Sequence, residues 1–237
     1  MEHFKIKIGN SEFNSELNSE QMREILRTIY NGGVCLIPSD TGYSLATIPH
    51  KTLNIDNLRN LLPHALNAPI SLCFASRDMA RKYVLFSAKD ERSFDSFRFA
   101  PITLVCPLIN GKVKTRLAPV INTLNTLGVR ISDSVIERQI SQKLDRPITT
   151  CAVRNADGNI IRNFDEAIEV LKERMRSIGK IIPLAAIKSP RIKYEKDSTI
   201  ISFIDSQVKI LREGVIDPQD IIREAKSITM FDIEDWT

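Results

Sequence analysis

Hydrophobic and polar positions along this chain follow two periods in turn. From Phe4 to Ile8 they alternate with period two, which predicts a strand. Met22, Ile25, Leu26 and Ile29 then fall at i, i+3, i+4 and i+7, one face of an amphipathic helix. Ser19 can cap that helix, and Asn31-Gly32-Gly33 ends it because glycine tolerates the left-handed turn. Val34 to Ile37 is a continuous apolar run and reads as a buried strand, closed by Pro38, which has no N–H for a central ladder. Further helices are predicted from Leu53 to Leu62, from Arg77 to Tyr83 behind a Ser76 cap, and from Lys89 to Phe97. Two more run from an Asp133 cap to Leu144 and from Asp165 to Ile178, where Ala167, Ile168, Leu171 and Met175 share a face. Further strands are predicted at Ile70 to Phe74, Ile102 to Cys106, Leu127 to Ile131, Ile148 to Ala152 and Ile181 to Ile187. Thr199 to Ile204 and Val208 to Leu211 read as a strand pair, and Asn110-Gly111 as a turn. Asp217-Pro218 opens a last helix with Pro at its tolerated first position, and an acidic tail runs from Phe231 to Thr237.

Strands and helices thus interleave from end to end, with no repeat and no linker rich in Gly, Ser or Pro. This predicts a single α/β domain over 1–237, with helices over a large sheet. Its core runs from about 4 to 215, and the C-terminal helix and acidic tail fill 216–237. In open α/β sheets ligands sit at the carboxyl ends of strands, so residues just after strands are the candidates for chemistry.

Composition narrows the class. A chain of 237 residues that is 43% hydrophobic and 26% charged is ordinary for a globular protein and excludes extensive disorder; its 9 Gly exclude collagen. The 33 basic and 29 acidic side chains give a net charge of +4, which allows an anionic partner without demanding one. The apolar runs are far shorter than a bilayer span, and the start lacks the basic and apolar regions of a signal peptide, so the cytosol is the expected compartment and no membrane partner is expected. Cys35, Cys73, Cys106 and Cys151 each sit in an apolar run and form no Cys-x-x-Cys pair, which predicts four buried thiols in a reducing cell.

The common catalytic signatures are missing. Gly111-Lys112 and Gly179-Lys180 lack the rest of a P-loop, and neither Gly-x-Gly-x-x-Gly nor Gly-x-Ser-x-Gly occurs. His3, His50 and His64 show no metal spacing. Catalysis by this chain would therefore rest on positioning and charge stabilisation. Four short motifs fit that expectation. Pro38-Ser39-Asp40-Thr41-Gly42-Tyr43 sets hydroxyls at a strand end, where they can bind a carboxylate or phosphate, although a turn capped by Ser39 and Asp40 explains them as well. Pro101-Ile102-Thr103 opens a strand. Gly128-Val129-Arg130 ends one, and its arginine can grip an anion in a cleft or form an ordinary salt bridge. Ser198-Thr199-Ile200 and Leu211-Arg212-Glu213-Gly214 lie on the strand pair near its end.

In that order these motifs resemble the YrdC-like family, over roughly Phe4 to Val215. Gly42-Tyr43-Ser44-Leu45, Arg59-Asn60-Leu61-Leu62-Pro63 and Arg212-Glu213-Gly214-Val215 look closest to its YciO branch. The resemblance implies a single-domain twisted open sheet flanked by helices, with a large concave basic face. It implies a nucleotidyltransferase that makes threonylcarbamoyl-AMP from L-threonine, bicarbonate and ATP with Mg²⁺, releasing pyrophosphate, for modification of an adenosine in tRNA. By the same resemblance Thr41, Arg130 and Ser198 would bind L-threonine, and Arg59, Thr103 and Arg212 the nucleotide, ATP or AMP, with no metal ligand and no tightly bound cofactor.

The chain departs from the synthase pattern in three places. Lys-x-Arg becomes Asn57-Leu58-Arg59, or Leu62 and His64 in a shifted register. Ser-Ala-Asn becomes Ala152-Val153-Arg154, and Pro-Gly-Pro becomes Phe99-Ala100-Pro101. Arg154 or Lys188 are candidates to restore the lost charge; a solvated surface position is the plain alternative for each. The departures leave other readings open: a non-catalytic module that binds double-stranded RNA or tRNA, a related activity on tRNA already modified, or a carbamoyl-adenylate enzyme for another substrate. Phe94, Phe97 and Phe99 would supply an aromatic patch to the RNA reading, but core packing is their expected role.

Overall fold

The uninterrupted apolar run at Val34 to Ile37 is explained by its place in the middle of a sheet with both faces covered. The structure, a computed structural model, describes residues 6–12, 14–66, 68–97, 99–121, 124–202 and 208–231. In chain order its strands are β1 (Ile6–Asn10), β2 (Val34–Pro38), β3 (Tyr43–Ala46), β4 (Leu72–Cys73), β5 (Ile102–Pro107), β6 (Thr126–Arg130), β7 (Ile148–Thr149), β8 (Cys151–Ala152), β9 (Leu184–Lys188), β10 (Thr199–Ser202) and β11 (Lys209–Arg212). The helices are α1 (Ser19–Tyr30), α2 (Thr52–Leu61), α3 (Arg77–Arg81), α4 (Ala88–Ser96), α5 (Gly111–Leu117), α6 (Val135–Leu144), α7 (Phe164–Ser177) and α8 (Pro218–Phe231).

The strands form two mixed sheets, one in the order β1-β9-β2-β3-β8 and the other β11-β10-β5-β6-β4-β7. Every residue of β2 is buried. Val34 and Leu36 face the larger core, which also holds Leu58 and Leu61 of α2, Leu171 of α7 and Leu104 and Val129 of the second sheet. Cys35 and Ile37 face a smaller core with Ile25 and Ile29 of α1 and Ile136 and Ile140 of α6. A strand covered on both faces needs no polar alternation. The result is a mixed α/β domain, as expected, with its strands shared between two sheets. No helix among the described residues is long and apolar enough to cross a membrane.

Several local readings shift. The first strand runs Ile6–Asn10, while Phe4 and Lys5 lie outside the described residues, as do Phe203, Ile204 and the tail 232–237. Asn18, not Ser19, caps α1: its side chain accepts from the Glu20 and Gln21 N–H groups while Gln21 Oε1 accepts from Asn18 N–H, a reciprocal box. Ser134, not Asp133, caps α6, and Asp133 instead pairs with Lys193. Asn110-Gly111 starts α5 and is not a free turn, because the Asn110 side chain accepts from Val113 N–H. Strand β3 escaped the sequence reading because four residues with a serine inside show no period.

The most consequential shift is at Ile148 to Ala152. This is two strands with Thr150 between them: β7 pairs antiparallel with β4 in one sheet, and β8 antiparallel with β3 in the other. The chain therefore steps from sheet to sheet at Thr150.

Candidate active site

The loop between β2 and β3 is built by its own side chains. Ser39 N–H and Oγ both donate to Gly42 O, at 2.8 and 2.7 Å. Gly42 is required by close approach: a Cβ there would lie 2.0 Å from Ile160 Cγ2. Tyr43 Oη accepts from Ser189 N–H at 3.0 Å, and Tyr194 N–H donates to Asp40 O at 3.0 Å, so the segment after β9 straps the loop down. Thr41 is thereby held at the edge of a cavity of about 160 Å³.

Five of the six residues expected at the site, Thr41, Thr103, Arg130, Ser198 and Arg212, line this one cavity. Thr103 and Ser198 come from β5 and the entry to β10, which pair in parallel, and their hydroxyl oxygens are 3.4 Å apart. Arg212 donates to Ser198 O at 2.9 Å and to Ser198 Oγ at 2.8 Å, which locks both side chains. Arg59 is not brought to the cavity. It donates from behind to Ala65 O at 3.1 Å and Ala68 O at 3.5 Å, and so supports a wall that carries His64. Arg154 does reach the cavity, whereas Lys188 turns away to Asp165 at 3.0 Å. Phe97 packs on the core, and Phe99, at φ 59°, lies under the Arg138 guanidinium at 4.4 Å, so neither ring is a free stacking platform.

Three guanidinium groups converge. Arg154 Nη2 is 2.7 Å and Arg212 Nη1 3.3 Å from Asp197 Oδ2. Burial lowers the affinity of Arg212 for its proton; Asp197 opposes this, and Arg154 and Arg130 add to it. His64 is pushed toward its neutral form by burial and then by Arg154. Side-chain exposure is 7% at Arg130, 22% at Arg154 and 35% at Arg212, so the charge runs from the floor of the cavity outward.

At the floor Arg130 Nη2 meets Asp40 Oδ1 at 2.5 Å, both buried. Arg130 Nε and Asp40 Oδ2 have no hydrogen-bond partner. A second carboxylate, Glu137 of α6, lies behind Thr150 and accepts from its Oγ1 at 2.7 Å. Sequence reasoning missed Glu137, Thr150, Ser44 and His64. The one available signal for Glu137 was a polar pair, Glu137 and Ser141, lying beside Ile136, Ile140 and Leu144 on the one buried face of the helix.

The family model for Sua5, YciO and YrdC, described as telomere recombination, matches residues 27–214. A Methanocaldococcus jannaschii protein named as a candidate threonylcarbamoyl-AMP synthase is 26% identical over 212 residues, 90% of this chain and 94% of that one. The fold matches P. abyssi Sua5 complexed with L-threonine at a TM-score of 0.75 and 18% identity, over 92% of this chain but only 60% of that one. It matches E. coli YciO at 0.71 and 16% identity, over 91% and 98% of the two chains. With the motif order, the two-sheet fold and a match over most of its length, the chain belongs to the Sua5/YciO/YrdC family.

Proposed function

We propose that the cavity binds L-threonine and the phosphates of ATP, and that the protein forms threonylcarbamoyl-AMP from them with bicarbonate. The observation that carries this reading is the convergence of Thr41, Thr103, Arg130, Ser198 and Arg212, with Arg154 added, on one small cavity. About 160 Å³ suits an amino acid and falls short of the ~300–1,000 Å³ usual for larger ligands. The nucleotide would therefore lie mostly outward, where Arg154 and Arg212 sit. Arg130 has donors beyond the one that holds Asp40, and a planar fork suits a carboxylate.

In the proposed reaction the carbamate oxygen of N-carboxythreonine attacks the α-phosphorus. A new O–P bond forms as the bond to the leaving pyrophosphate breaks. Negative charge builds on the non-bridging and leaving oxygens, and Arg154 and Arg212 lie where cations can stabilise it. Arg154 thus supplies charge where the synthase pattern has none. Asp40 and Asp197 are both engaged by arginines, so Mg²⁺ would arrive with the phosphates as part of the substrate.

Purified protein given ATP, Mg²⁺, bicarbonate and L-threonine is expected to release pyrophosphate and threonylcarbamoyl-AMP only when threonine is present. Arg130→Ala is expected to abolish threonine binding in calorimetry. Unchanged affinity in that variant would remove Arg130 from the site, and threonine binding without product would move the chemistry to tRNA already modified.

A further inference from the structure

Glu137 is a buried ionisable group that the proposed reaction does not use. It is 0% exposed, yet it lies in the first turn of α6 with Oε2 unpartnered. The titratable groups that face it come from three elements: Arg130 at the end of β6, Asp40 after β2 and the neutral Cys73 thiol of β4. Two hydroxyls face it as well, Ser132 and Thr150. Thr150 is the residue at which the chain steps between sheets, and it also lines the cavity. Its hydroxyl makes the described hydrogen bond between the cavity lining and Glu137: Oγ1 donates to Glu137 Oε1 at 2.7 Å and keeps a lone pair for a second donor.

We infer that Thr150 and Glu137 form a proton relay that deprotonates the ammonium group of an amino-acid ligand in the cavity. The inference rests on the threonine reading above. An amino acid binds as its ammonium form, whose nitrogen has no lone pair for carboxylation. In the relay one ammonium proton passes to Thr150 Oγ1 as the Thr150 hydroxyl proton passes to Glu137 Oε1. The products are the neutral amine, an intact Thr150 and the Glu137 carboxylic acid. The amine nitrogen then bonds to the bicarbonate carbon, one C–O bond breaks, and one of the two N–H protons leaves with that hydroxide as water while the carbamate nitrogen keeps the other.

The surroundings suit such an acceptor. Burial raises the proton affinity of Glu137 above that of an ordinary carboxylate, and Asp40 adds to this. The Arg130 charge works the other way and favours the ionised form that can take up a proton. A base poised between these limits operates nearer neutral pH than a solvated glutamate.

The test compares wild type with Glu137→Gln, Thr150→Val and Thr150→Ser. Threonine binding is followed by calorimetry, and threonine-dependent pyrophosphate release across pH. General base catalysis contributes ~10²–10⁴-fold, so Glu137→Gln and Thr150→Val are expected to keep threonine binding within a few-fold and to lose about hundredfold in rate at neutral pH. Their rates should climb toward wild type at alkaline pH, where solution supplies free amine. A purely structural role would not produce that rescue. Thr150→Ser keeps the hydroxyl and should recover most of the rate lost in Thr150→Val. Folded variants with wild-type rates and pH profiles would overturn the relay while leaving the synthase reading intact. A wild-type protein that binds threonine and turns nothing over would overturn both.

Discussion

At the scale of single residues the site is governed by how few partners its buried charges have. Arg130 and Asp40 meet at 2.5 Å with almost no water contact, and each keeps one polar atom unpaired. Removing one member of a buried pair costs ~3–5 kcal/mol, because the other is left as an uncompensated charge. Asp40→Asn is therefore expected to destabilise the protein by about that amount, read as a lower urea midpoint with unchanged slope. A loss below ~1 kcal/mol would mean that Glu137 alone compensates Arg130. Arg130 was legible in the sequence as an arginine ending an apolar strand, and Asp40 as a turn residue. That they are partners was not legible, since 90 positions separate them and only the packing of two sheets joins them.

At the scale of elements the sequence was most informative where burial is one-sided. The stripe of α7, Ala167, Ile168, Leu171 and Met175, is buried as its spacing predicts. It was least informative where strands are short. β4, β7 and β8 have two residues each, too few to show a period. The candidate site follows the same division: its residues could be named from motif order, while the swap of Arg59 for His64 in the wall depends on the turn after α2. The β2–β3 loop carries the sharpest element-level prediction. Gly42→Ala places a methyl 2.0 Å from Ile160 Cγ2 and 3.1 Å from Ile161 O. Overpacking of this kind costs ~1–3 kcal/mol, and relief requires the loop to shift. The variant is expected to fold with a lower melting temperature and to bind threonine more weakly, since Thr41 moves with the loop. Unchanged affinity with lowered stability would mean that the segment at Ile160 and Ile161 yields and the loop does not.

At the scale of the whole molecule, buried carboxylates set how stability responds to pH. Burial raises the proton affinity of both Glu137 and Asp90 in the folded state. Such a group binds its proton more tightly folded than unfolded. Its stabilising contribution is present below the ordinary carboxylate value, about pH 4, and is lost as pH rises through the raised value. Wild-type stability is thus expected to carry a falling component above about pH 4. Glu137→Gln should flatten that component and leave the share of Asp90, as measured by urea midpoints across the range. An unchanged slope would mean that Glu137 titrates alike in the folded and unfolded chain.

The step of the chain between sheets at Thr150 has a consequence for the order in which the protein can be made. The cavity takes Thr41 and Ser44 from the first sheet, Thr103 and Arg130 from the second, and closes with Ser198 at the entry to β10 and Arg212 at the end of β11. The β10 strand that brings Ser198 pairs with β5, about a hundred residues earlier. No N-terminal segment, however well folded, can hold the finished pocket. A nascent chain still lacking β10 and β11 would display an open anionic and cationic floor, Asp40 against Arg130, with neither the Ser198 hydroxyl nor the Arg212 clamp above it. Assembly of the site therefore waits for β10 and β11, and a chain truncated before Ser198 is expected to lose the threonine binding proposed above, as calorimetry would show.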